Sequence, residues 1–202
     1  METLSVKIGK GLVIGGGNHI VPQTMCNTHT YDIDKTVEQC IRMKEAGAEL
    51  IRITVPGIKE VEDIRRIREI LREKGVDTPL VADIHFSSET AIAVAAVVEK
   101  VRINPGNFHR DHDKAREQFA KFLSVCKEHN TAIRVGLNHG SLGDYITNLY
   151  GNTPLAMAKA AMEWLDMCVE NDFYNVVVSL KSSNTAVMVE AYRLLVKEME
   201  KS

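Results

Sequence analysis

Six times in succession the chain sets down a short apolar run, a polar loop and an amphipathic helical pattern. That alternation limits the fold more than any other feature. The apolar runs read as strands at His19 to Met25, Leu50 to Val55, Leu80 to Ile84, Lys100 to Ile103, Ala132 to Leu137 and Asn175 to Leu180. Helical patterns follow at about 33–46, 58–74, 87–98, 112–129, 154–170 and 185–200. The helix starts carry capping signals: Asp32 or Asp34, Ser87 or Ser88 with Thr90, and Asn152-Thr153-Pro154. Gly47 and Gly75 fall where helix ends favour a left-handed residue. In the second helix Val61, Ile64, Ile67, Ile70 and Leu71 make one stripe, which predicts that Arg65, Arg66, Arg68 and Arg72 face water.

Strands joined through helices run parallel, and a parallel sheet is covered by its helices. Both an open doubly wound sheet and a TIM-type barrel meet that condition. Polar residues recur near the carboxyl ends of nearly every strand, where barrels keep their sites, and this favours the barrel. A closed barrel needs eight units and six are present, so the expected fold is α/β: a TIM-type (β/α) barrel, incomplete. Before it, Leu4 to Ile8 and Leu12 to Ile14 flank Gly9-Lys10-Gly11 as a β-hairpin. The expected division is 1–18, a hairpin capping the barrel, and 19–202, a partial barrel that binds substrate. Gly15-Gly16-Gly17 is followed by no helical pattern, so it reads as a turn rather than a phosphate loop.

Composition removes several classes of function. The 202 residues are 45% apolar and 26% charged with a formal net charge of −2, which gives no basic field for nucleic acid. No apolar run reaches the roughly 18 residues of a membrane span. The first residues, Met-Glu-Thr-Leu-Ser-Val-Lys, lack a secretory signal's basic and apolar regions, so a cytoplasmic protein is expected. Cys26, Cys40, Cys126 and Cys168 are scattered without a CxxC pair, which reads as buried thiols and not as a zinc or iron–sulfur signature.

Three strands place an arginine between apolar residues: Ile51-Arg52-Ile53, Val101-Arg102-Ile103 and Ile133-Arg134-Val135. A fourth ends in Leu180-Lys181, and Val81 to Phe86 puts Asp83 and His85 on one face. Strand side chains alternate, so if the apolar neighbours face the helices, the cations face the lumen. Converging cations with Asp83 alone to offset them repel strongly in a low dielectric. A diphosphate relieves that repulsion, because guanidinium forks match phosphate oxygens. The competing structural reading has the arginines bridging to carboxylates between layers, although the strands hold few carboxylates. Asn104-Pro105-Gly106-Asn107 and Asn138-His139-Gly140-Ser141 each follow an arginine strand and add amide groups. His85 reads as a phosphate donor or proton shuttle, and His139 as a weaker candidate. His109-Arg110-Asp111-His112-Asp113 reads as an exposed capping segment.

These motifs resemble the barrel domain of the 4-hydroxy-3-methylbut-2-enyl diphosphate synthase family. The resemblance rests on Gln23 to Thr28, Pro79 to Phe86, Val101 to Asn107, Arg134 to Leu142 and Val178 to Asn184. It covers essentially the whole chain and is nearest the larger form of the enzyme, found in plants and some bacteria; a bacterial source is expected. The resemblance implies that 2-C-methyl-D-erythritol 2,4-cyclodiphosphate is opened and reductively dehydrated in isoprenoid biosynthesis. It implies Arg52, Asp83, His85, Arg102, Asn104, Arg134, Asn138 and Lys181 as substrate-binding positions. It also implies a [4Fe–4S] cluster and a ferredoxin or flavodoxin donor for the full-length protein. In that family the catalytic glutamate, the last two barrel strands and the cluster ligands come after the position of Ser202, so an inactive portion of the enzyme is expected. Cys26 stands where the family is expected to have threonine. Two other readings suit the same residues. One is a non-catalytic phosphate-binding or assembly module whose edge strands favour homo-oligomers. The other is a pterin-binding synthase-like barrel, which needs fewer convergent arginines.

Overall fold

The computed structural model describes residues 3–201. Met1, Glu2 and Ser202, which the expected spans include, lie outside the described residues. A two-stranded antiparallel hairpin, β1 (Val6–Ile8) and β2 (Leu12–Ile14), comes first. Six parallel strands then form one curled half-barrel sheet: β3 (Gln23–Met25), β4 (Leu50–Thr54), β5 (Leu80–Ile84), β6 (Lys100–Ile103), β7 (Ala132–Asn138) and β8 (Val176–Lys181). Each pairs with the next in sequence order, as successive βα units require.

The covering helices are α1 (Ile33–Glu45), α2 (Glu60–Glu73), α3 (Ser88–Ala95), α5 (His112–His129), α7 (Pro154–Glu170) and α8 (Thr185–Met199). Two short helices sit in loops that the periodicity did not distinguish: α4 (Pro105–Phe108) and α6 (Asp144–Tyr150). Ser87 and Thr153 cap α3 and α7 as predicted, accepting from Thr90 N and Ala156 N. Asp32 sits at the start of α1 without capping it and pairs with Lys35 instead. Gly47 and Gly75 take φ of +96° and +72° just beyond α1 and α2. There Ala48 N and Val76 N reach back to Met43 O and Leu71 O, closing the helix ends.

Strand alternation sorts the side chains into two faces. Ile51, Ile53, Ala82, Ile84, Val101, Ile103, Ile133, Val135 and Leu137 are buried in the main core with the helices. The intervening residues face inward. At the amino-terminal end of the sheet, inward Leu50, Val81 and Ala132 pack with Val6 and Ile8 of the hairpin. Asn175 fastens the hairpin by two hydrogen bonds to the Lys7 backbone, 2.9 and 2.8 Å.

Two expectations need correction. The first strand is Gln23–Met25 and not His19 to Met25, and Ile20 is 93% exposed. Pro22 has no N–H to give to a ladder, and β3 is an edge strand with β4 alone beside it. Arg68 does not face water. It is buried in the α2 stripe, donates to Thr78 O at 3.0 Å and forms an ion pair with Glu99. Burial, with Arg72 nearby, lowers its pKa to about 10. The placement follows from helical spacing, because Arg68 lies four residues after Ile64 and three before Leu71, both buried.

Glu99 also accepts from Leu80 N at 2.8 Å, which ties α2 to the start of β5. Glu99→Ala strands Arg68 in the core, so it should destabilise the protein by about 3 kcal/mol in urea unfolding. Exposed Arg66→Ala should change stability by less than about 0.5 kcal/mol. Equal midpoints for the two variants would contradict this account.

Candidate functional site

Strand register assembles the inner face row by row. One row contains Met25, Arg52, Val81, Lys100 and Ala132, and the next contains Thr54, Asp83, Arg102, Arg134 and Val177. Nearer the carboxyl ends, Gly136 lies beside Ser179 and Asn138 beside Lys181. Each cation sits inward because its apolar neighbours belong to the helix-facing core.

Asp83 is at the centre, with none of its surface exposed. Its Oδ2 accepts from Arg52 Nη2 at 2.6 Å and lies 2.9 Å from His85 Nε2, while Oδ1 accepts from Arg102 Nη1 at 3.2 Å. Arg102 reaches across β7 as well and donates from Nη2 to Gly136 O at 3.0 Å. The competing structural reading therefore holds for two of the three arginines. Asp83 bridges Arg52 and Arg102, and this lets both lie in a low-dielectric interior.

Arg134 has no carboxylate partner among the described residues. Its Nε donates to Ser179 Oγ at 2.8 Å, which leaves both terminal nitrogens of the fork for another ligand. Burial, with Arg52 and Arg102 beside it, holds its pKa below the ordinary guanidinium range. Asn138 and Lys181, at the carboxyl-end rim, make no side-chain hydrogen bond among the described residues, and Lys181 is exposed. Asn104 is buried; its amide donates to Ser141 Oγ at 3.1 Å, and its Oδ1 has no partner among the described residues. His139 contacts Asn152 O at 3.2 Å and does not join the Asp83 cluster. Asp111 caps α5, accepting from Lys114 N, whereas His112 stacks on Tyr145 and pairs with Glu163.

Sequence reasoning missed Lys100. It lies two residues before Arg102 on the same face and is 2% exposed, with Val81 and Ala132 as row neighbours. Burial first, then Arg134 and Arg52, push its pKa down to about 8. The period of two was enough to find it, but its place at the first residue of the strand, after Glu99, reads as loop charge.

Two glycines hold the geometry. A Cβ on Gly136 would stand 2.5 Å from Arg102 Nε, so only glycine lets the guanidinium cross β7. A Cβ on Gly106 would stand 2.0 Å from Ser141 O, where the loop after β6 meets the short 3-10 turn His139–Ser141. Phe108 fixes that loop from the other side, with ring centroids 5.3 Å from Trp164 and 5.9 Å from Phe119.

The four cysteines are buried free thiols. Burial raises the Cys126 thiol and pushes that of Cys168 up to about 12. No three His, Cys, Asp or Glu side chains converge as metal ligands among the described residues, so these residues do not fit an iron–sulfur cluster.

Fold and site together define a parallel (β/α) half-barrel with a cationic inner face organised around one carboxylate. The GcpE TIM-barrel domain model matches residues 3–202, and the chain belongs to that family. Its relatives include a protein of Phocaeicola vulgatus, 46% identical over 217 residues, covering 99% of this chain and 35% of the relative. A Parabacteroides distasonis protein is 48% identical over 204 residues, covering 93% of this chain and 33% of the relative. Both bear the name 4-hydroxy-3-methylbut-2-en-1-yl diphosphate synthase (flavodoxin). The chain thus spans about a third of the length of these curated relatives. Among solved structures, a truncated 3-deoxy-D-arabino-heptulosonate 7-phosphate synthase from Thermotoga maritima aligns with a TM-score of 0.62 at 12% identity. It covers 97% of this chain and 66% of that one, a likeness of fold alone.

Gly136→Ala should cost about 1–3 kcal/mol in chemical unfolding, because the added methyl pushes Arg102 off Gly136 O and Asp83. In an Arg102→Ala background the same change should cost much less, since the clash is gone. An equal cost in both backgrounds would refute the role assigned to Gly136.

Proposed function

We propose that the inner face binds the diphosphate of a cyclic diphosphate and serves as the substrate-binding barrel of a 4-hydroxy-3-methylbut-2-enyl diphosphate synthase. The observation that carries this reading is the charge balance. Asp83 offsets Arg52 and Arg102, while Arg134 beside Arg102 and Lys181 at the carboxyl-end rim have no carboxylate partner among the described residues. Ligands of parallel barrels bind at that rim. Names of relatives support the activity: the Phocaeicola and Parabacteroides proteins are both called 4-hydroxy-3-methylbut-2-en-1-yl diphosphate synthase (flavodoxin).

In the proposed reaction, 2-C-methyl-D-erythritol 2,4-cyclodiphosphate takes two electrons and two protons. The ring C–O bond breaks, a hydroxyl leaves as water, and 4-hydroxy-3-methylbut-2-enyl diphosphate forms. Flavodoxin is the proposed electron donor, and a [4Fe–4S] cluster the proposed redox group of the whole protein. The part proposed for these residues is binding. The Arg134 fork takes phosphoryl oxygens, Lys181 and Asn138 close the rim, and Asn104 Oδ1, without a partner among the described residues, accepts from a substrate hydroxyl. His85, held by Asp83, faces the same space as a donor to phosphate. The proposed setting is the cytoplasm; among the described residues no helix is long and apolar enough to cross a membrane.

Calorimetric titration of the cyclodiphosphate into the full-length protein at low and moderate salt tests this reading. Arg134→Ala should weaken binding by roughly tenfold or more, as expected for a lost charge-assisted bond, and the loss should shrink with added salt. Arg66→Ala on the outer face of α2 should bind normally. Unchanged affinity in Arg134→Ala would sink the proposal.

A further inference from the structure

We propose that Lys100 is a further anion ligand of the lumen, a cation in the row of Arg52 and one row beneath Arg102 and Arg134, that takes a phosphoryl oxygen of the bound ligand. The inference rests on the anion-binding reading above and adds a residue to it. Lys100 is 2% exposed, yet its amine has neither a hydrogen-bond nor an ion-pair partner among the described residues. The other buried cations do have partners. Arg68 has Glu99 and Thr78 O, and Arg102 has Asp83 and Gly136 O. An ammonium so enclosed without a partner is disfavoured, and an anion that arrives in the lumen would relieve that cost.

The surroundings specify where that anion sits. Around Lys100, β4 contributes Arg52, β5 contributes Asp83, β6 contributes Arg102 and β7 contributes Arg134. From β8 the inward residues are Val177 and Ser179, and the hairpin adds apolar Val6 and Ile8 below. Asp83 already serves Arg52, Arg102 and His85. The hairpin floor is apolar, so a flexible four-carbon stem has reason to turn its charge away from it, towards Arg134 in the next row and Arg52 in its own. A diphosphate fits this arrangement better than a single phosphate, because one phosphoryl group can occupy the Arg134 fork while the other reaches inward to Lys100.

Titration gives this role a signature that a packing residue lacks. Burial and the neighbouring arginines lower the Lys100 pKa to about 8, so in the free protein the amine begins to lose its proton near that pH. An anion favours the charged form and raises the pKa, so binding between about pH 8 and 9 must draw a proton from solvent.

Calorimetry on the full-length protein with the cyclodiphosphate, in buffers of different ionisation enthalpy at pH 8.5, measures that uptake directly. The phosphoryl oxygens stay ionised at this pH, so the ligand itself contributes no proton. Lys100→Met should bind on the order of tenfold or more weakly at pH 7 and should lose the uptake at pH 8.5. Lys100→Arg should retain binding without the uptake. Thermal melts check folding, and Lys100→Met should melt no lower than the unaltered protein because it removes an unpaired buried charge. If Arg134→Ala weakens binding but both Lys100 variants keep normal affinity and uptake, this inference fails and the functional reading stands. A lower melting temperature for Lys100→Met with normal affinity assigns Lys100 a structural partner and also overturns the inference. No binding by the unaltered protein overturns both.

Discussion

A single buried carboxylate makes this inner face possible. Guanidinium groups do not enter a low-dielectric interior without compensation, and Asp83 compensates two of them from neighbouring strands while also holding His85. With Arg52 and Arg102 fixed, Arg134 beside Arg102 in the row keeps its two terminal nitrogens without a partner among the described residues. The same arrangement leaves an excess of positive charge on the inner face. That excess is destabilising in the empty protein and favourable when an anion is bound, as expected of a preorganised binding site.

Much of the remaining structure holds this cluster in position. The hairpin closes the amino-terminal end with apolar contacts, so the open, polar end is the one at the carboxyl ends of the strands. Gly136 keeps β7 low enough for Arg102 to pass over it, and Gly106 lets the loop after β6 lie against Ser141. Phe108, Phe119, Phe122 and Trp164 pack edge to face and tilted behind that loop, which fixes Asn104 at the head of α4. Core packing outside the sheet therefore determines where the polar atoms inside it stand.

The sequence disclosed the architecture well because strand and helix periods are local. Helices α5 and α7 begin and end at the predicted residues, and the parallel strand order follows from the connections. Inward placement of Arg52, Asp83, Arg102 and Arg134 was legible from alternation with apolar neighbours. Who pairs with whom was not legible, because the Asp83 bridges depend on register between strands far apart in sequence. Arg68 was misread because arginine on a helix suggests solvent, although its spacing from Ile64 and Leu71 placed it in the buried stripe. Lys100 was missed at a strand's first residue, where a charge looks like part of the loop. Short α4 and α6 left no periodic signal, being little more than one or two turns.

The central claim is that an anion completes a charge balance Asp83 leaves unfinished. A crystal structure of the full-length protein with bound 2-C-methyl-D-erythritol 2,4-cyclodiphosphate tests it most directly. The account predicts phosphoryl oxygens within hydrogen-bond distance of the Arg134 terminal nitrogens, with the Asp83 bridges to Arg52 and Arg102 intact. A diphosphate bound away from the inner face, or one that displaces Asp83 from both arginines, would contradict it.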